Sequence, residues 1–108
     1  MAWTVLTFSK AVEDEIESLP IDIQARLDRF QIAIREHGPM ALPAKHAKHL
    51  GGGLWELRLI GRDGIARVIY LTMQNQRVVL LCAFMKKTQK TPLRELELAR
   101  QRARSLQS

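Results

Sequence analysis

Three apolar runs separated by almost nothing dominate the middle of this chain. LWELRLI (54–60), IARVIYLT (65–72) and RVVLLCAFMK (77–86) are rich in β-branched and aromatic residues, and only GRDG and QNQ stand between them. Such runs read as strands. Links this short join neighbours as tight antiparallel hairpins. The predicted meander leaves little freedom to the rest of the chain, which must cover it. VVLLCAF is apolar at both parities, which places the last run centrally in the sheet.

Around the meander, WTVLTF (3–8) reads as a further short strand. Ser9 is placed to cap the helix that follows, with Glu13 and Asp14 near its positive end. Val12, Ile16 and Leu19 give that helix an apolar stripe, and Pro20 interrupts it. A second helix is expected from about Asp22, because Ile23, Leu27, Phe30 and Ile34 recur at helical spacing. Gly38 suits its C-terminal cap and Pro39 cannot continue it. Residues 40–53 read as a loop with a glycine-rich exit. Thr91 and Pro92 suit the start of a last helix, with Leu93, Leu96, Ala99 and Ala103 as its inner stripe. The expected fold is one α+β domain over 1–108. It has the order β-α-α-β-β-β-α, with an antiparallel sheet, an N-terminal helical pair and a C-terminal helix, all helices on one side.

Charge narrows the function. Residues 1–43 carry four basic and seven acidic groups, a net of −3, whereas residues 44–108 carry thirteen basic and four acidic groups, a net of +9. A basic half of this kind attracts a polyanion, RNA or DNA first among them; a solvated basic surface is the plain alternative. No apolar run approaches the roughly 20 residues a membrane helix needs. The N-terminus shows no secretory pattern, and Cys82 is the only cysteine. A cytoplasmic protein without membrane attachment is expected.

Strand alternation sharpens the charge argument. Trp55, Leu57 and Leu59 point to the core, so Glu56 and Arg58 point away from it. A two-residue loop after the first run keeps Arg67 on the same face as Glu56 and Arg58. A two-residue turn at Asn75-Gln76 then sets Phe84 opposite Arg67, with Lys86 and Cys82 on that face too. The expected outward face therefore carries one carboxylate, three cations and a ring. Like charges side by side are destabilising unless offset. Glu56 alone offsets them in a surface ion-pair cluster, and a bound phosphate does so at a functional site.

A face of this kind has the groups for RNA cleavage by the 2′-hydroxyl. Glu56 is a candidate base, Arg58, Arg67 and Lys86 candidates for charge stabilisation, and Lys86 or Lys87 for proton delivery. Phe84 is placed to stack on a base. Lys48, His49 and Lys90 are further expected RNA contacts. The reaction requires neither metal nor cofactor. His46 and His49 lie three apart, but no third ligand is apparent, so they read as loop residues or RNA contacts rather than a metal site. Cys82 in an apolar strand reads as an inert small hydrophobe. Trp3 and Trp55 read as core anchors or interface residues.

HLGGGLWELRL, ARVIYL and VVLLCAFMKKTQKTPLRELELARQR together resemble the HigB-like (phage Gp49-like) branch of the RelE/ParE toxin superfamily. The resemblance spans nearly the whole chain. It implies the RelE-like fold and the toxin role in a type II toxin–antitoxin system, with ribosome-dependent mRNA cleavage. It also implies a HigA-like helix-turn-helix antitoxin as partner, with operator DNA bound only through the toxin–antitoxin complex. By position, Arg67 matches the arginine at the scissile phosphate, Glu56 and Arg58 the charged strand positions, and Lys86 and Lys87 the basic pair. Cys82 stands where members often carry histidine. ParE-like relatives implied by the same resemblance inhibit DNA gyrase without cutting anything. A decayed toxin that only binds its antitoxin is a third alternative.

Overall fold

The computed structural model describes residues 2–87 and 90–107. Its elements are β1 (Thr4–Thr7), α1 (Lys10–Glu17), α2 (Ile21–His37), β2 (Ala47–Gly51), β3 (Leu54–Gly61), β4 (Gly64–Met73), β5 (Arg77–Met85) and α3 (Leu93–Gln107). The α+β class and the three-run meander match the expectation. Thr88 and Gln89, inside the KKTQKTP motif, lie outside the described residues.

The sheet has five strands in the order β1-β5-β4-β3-β2. β4 is the middle strand, and β5 is interior beside it. Two features depart from the sequence reading. β1 joins parallel to β5, with Thr4 opposite Arg77, so the sheet is mixed. Part of the expected loop forms β2, an edge strand antiparallel to β3. Its sequence, AKHLG, has no apolar alternation to announce a strand; pairing with β3 supplies the order.

The β4–β5 hairpin reaches the expected register by an unexpected route. Its turn holds three residues, since Met73 pairs with Arg77, and Asn75 and Gln76 both take positive φ, 63° and 56°. One extra residue flips every following side chain to the other face. A bulge corrects this: Tyr70 pairs with Leu80 but Ile69 with Cys82, leaving Leu81 as the additional residue. Arg67 therefore stands opposite Phe84 as predicted.

Helices cover both faces of the sheet, not one. Leu57, Leu59, Val68, Tyr70, Val78 and Leu80 pack with Val12, Ile23, Leu27 and Ile34. Ile69, Leu71, Val79, Leu81 and Cys82 pack instead with Ala99 and Ala103 of α3. The double-sided burial explains why the VVLLCAF run is apolar at both parities. Small alanines let α3 approach closely. Leu93, expected on the inner stripe, is 73% exposed and is the first residue of α3.

Ser9 occupies the N-cap position of α1 without a side-chain cap hydrogen bond. Gly38 ends α2 at φ 84°, ψ 169°, and its N–H donates to the Ile34 carbonyl at 2.7 Å. This is a glycine-only region rather than the expected left-handed cap. A Cβ here would also lie 2.6 Å from Trp3 Nε1. Gly38→Ala is therefore expected to lower stability by about 1–3 kcal/mol, read as a shift of the urea unfolding midpoint at unchanged slope.

Beyond the end of β1, side chains finish the free edge of β5. Arg102 Nη1 donates to the Leu81 carbonyl at 2.5 Å, and the Ala83 N–H donates to Glu15 Oε1 at 3.0 Å. Arg102 Nη2 meets Glu15 Oε2 at 3.3 Å, and the guanidinium lies over the Phe8 ring, 5.8 Å from its centroid. One ion pair thus joins α1, α3 and the bulge.

Candidate functional site

β3 and β4 bring Glu56, Arg58 and Arg67 to one face, because Arg58 pairs with Arg67 and Glu56 with Ile69. That face is not simply outward. Glu56 is only 4% and Arg67 only 6% exposed. A buried charge must be paired and hydrogen-bonded, and these are. Arg67 Nη1 lies 3.0 Å from Glu56 Oε1 and donates to Thr91 Oγ1 at 3.1 Å. The Thr91 hydroxyl in turn donates to Glu56 Oε2. Both carboxylate oxygens are thereby engaged. Thr91, read from the sequence as a helix cap, is the third member of this triangle; a threonine before proline carries no signal for that role.

The triangle sits at one side of a cavity of about 170 Å³ lined by Ala44, Lys45, His46, Ala47, Lys48, Glu56, Arg58 and Arg67. Lys48 reaches it because β2 pairs Lys48 with Glu56. Lys45 and His46 come from a 3₁₀ turn, Ala44–His46; sequence reading, which left this segment as loop, missed their placement. His49 goes the other way. It pairs with Trp55, whose ring centroid is 4.7 Å from its own, and so faces away from Glu56. The expected grouping of His49 with the cationic residues does not occur, because Lys48 and His49 alternate along a strand.

Phe84 is half-buried opposite Arg67 and packs against the α3-side core. Lys86 follows β5, its N–H donating to the Ile65 carbonyl at 2.7 Å. Its ammonium pKa is lowered from the ordinary lysine value, first by desolvation and then by the cations of Arg67 and Arg58, against the opposing pull of Glu56. Lys86 therefore feels the charges of the site. Lys87 and Lys90 are exposed beyond it. Cys82, on the same strand face as Phe84, is sealed beneath α3. Its thiol lies 3.9 Å from the Glu95 carbonyl, and burial pushes its pKa up to about 12. It has no role in proton transfer at neutral pH. Among the described residues, no group of three or more His, Cys, Asp or Glu side chains could hold a metal ion.

A small mixed sheet, helices on both faces and a cationic cavity beside the middle strand define a class, the RelE-like α+β fold. The chain superposes on the free state of the Escherichia coli toxin RelE, in a form with two arginines replaced by alanine. The TM-score is 0.68 at 13% identity, covering 94% of this chain and 98% of that one. The family profile described as Phage derived protein Gp49-like (DUF891) matches residues 14–104. The chain belongs to this Gp49-like family. No curated protein matches the sequence.

Proposed function

We propose that this protein is the toxin of a type II toxin–antitoxin system and cleaves mRNA on the ribosome, arresting translation and growth. The observation that carries the reading is the buried Glu56–Arg67–Thr91 triangle beside a cavity rimmed by Lys45, Lys48 and Arg58. Buried arginine held in one orientation suits an anion whose charge grows during reaction. The Gp49-like family and the RelE-like fold favour the same chemistry.

In this reading the 2′-oxygen forms a bond to phosphorus as the bond from phosphorus to the 5′-oxygen breaks. The products are a 2′,3′-cyclic phosphate and a 5′-hydroxyl. Glu56 takes the proton lost from the 2′-hydroxyl, and another is delivered to the 5′-oxygen. Arg67 and Arg58 stabilise the phosphorane-like charge. Lys86, held below the ordinary lysine pKa by desolvation and by Arg67 and Arg58, delivers the proton to the leaving oxygen, with Lys87 as an outer cation. Glu56 also positions Arg67 through Oε1 and keeps lone pairs free beside its bonds to Arg67 and Thr91. Phe84, Lys48 and Lys90 contact the message. The partner is a HigA-like helix-turn-helix antitoxin, and operator DNA is bound only in its company.

The reading is tested in a purified translation system with and without ribosomes. Cleavage is expected only when ribosomes are present, leaving cyclic phosphate ends. Intact message from a protein that still arrests growth would move the assignment to gyrase inhibition.

A further inference from the structure

We propose that His46 is an RNA contact of the cleavage pocket, a neutral imidazole whose Nε2–H donates to a non-bridging oxygen of the scissile phosphate. This rests on the nuclease reading and adds to it a residue that neither the fold nor the charged strands point to. His46 closes a 3₁₀ turn in which its backbone N–H donates to the Pro43 carbonyl at 2.9 Å. Pro39 and Pro43 stiffen the approach to that turn. The ring packs against Phe30, with centroids 5.6 Å apart and planes at 55°. His46, held by a firm backbone and an aromatic wall, lines the cavity that Arg58 and Arg67 also line.

The protonation pattern follows from hydrogen-bond accounting. Nδ1 is buried and, among the described residues, has no hydrogen-bond partner. A buried N–H without an acceptor is costlier and rarer than a buried lone pair. An imidazolium must donate from both nitrogens, and Nδ1 has nothing to donate to. Nδ1 therefore holds the lone pair, and the proton sits on Nε2. The cavity's lining offers that donor little. Its other polar side chains are cations, apart from Glu56, which bonds to Arg67 and Thr91 and, among the described residues, shows no hydrogen bond to His46. The complementary acceptor comes from outside, and a phosphodiester oxygen between Arg67 and His46 satisfies both.

Two measurements test the assignment. Long-range ¹H–¹⁵N NMR of the wild-type protein reads the tautomer; Nε2–H is expected, and Nδ1–H overturns the proposal. Single-turnover message cleavage on ribosomes then compares wild type with His46→Phe and His46→Gln. Phenylalanine keeps the packing on Phe30 and removes the donor. Glutamine returns an amide N–H near the Nε2 position. His46→Phe is expected to slow cleavage about 10²-fold or more, with His46→Gln recovering most of the loss and both variants folded by circular dichroism. Wild-type rates in His46→Phe overturn the proposal. So does His46→Gln falling as far as His46→Phe, which signals acid–base work instead. A wild-type protein that cleaves nothing overturns the nuclease reading itself, and the His46 role with it.

Discussion

Arg67→Ala destabilises this protein by about 3–5 kcal/mol and abolishes growth arrest. Strand alternation alone puts Arg67 on an outward face, where its removal would relieve cation repulsion and leave the fold intact. Its burial reverses that expectation. The Glu56 and Arg67 side chains are 5% and 8% exposed, so truncating the arginine leaves a buried carboxylate with only the Thr91 hydroxyl to satisfy it. Loss of toxicity in the single variant therefore mixes two effects. The double variant Glu56→Leu/Arg67→Met separates them. It removes both charges at similar volume, and such replacements often restore or raise stability. Urea unfolding of the double variant is expected to return within about 2 kcal/mol of wild type, while growth arrest stays absent. A folded double variant that still arrests growth would remove Arg67 from the active site.

Arg102→Ala is expected to cost about 2–4 kcal/mol, although the residue lies outside the cavity. The Arg102 and Glu15 side chains are 13% and 28% exposed, so water screens the pair only partly. The guanidinium also satisfies the Leu81 carbonyl at the bulge and covers Phe8. Its loss exposes an edge of β5 and loosens α3, which carries Thr91 just ahead of it. By contrast the Lys10–Asp14 pair on α1, with side chains 80% and 58% exposed, lies in solvent that screens it, so it contributes little. Arg102→Lys should recover only part of the loss, because one ammonium cannot reproduce the planar fork that spans Leu81 and Glu15. Comparable urea midpoints for Arg102→Ala and Lys10→Ala would show that the bulge network adds nothing.

The meander, the apolar stripe Ile23, Leu27 and Ile34, and the shared face of Glu56, Arg58 and Arg67 were all legible in the chain alone. Each depends on local periodicity: two residues in a strand, three to four in a helix. Phe84 was placed correctly opposite Arg67 for a reason that only half holds. A three-residue turn shifted the register and the Leu81 bulge shifted it back, and neither has a sequence signal that propensity can read. Strand β2 escaped notice because AKHLG owes its conformation to β3. The depth of the charged face could not be read either. Alternation tells which way Glu56 and Arg67 point, but the approach of Thr91 and of the Ala44–His46 turn decides whether water reaches them. The Thr91 contacts alone join residues 35 and 24 positions apart. Tertiary packing turned an apparent surface cluster into a buried ion pair beside a cavity, and brought His46 to it while turning His49 away.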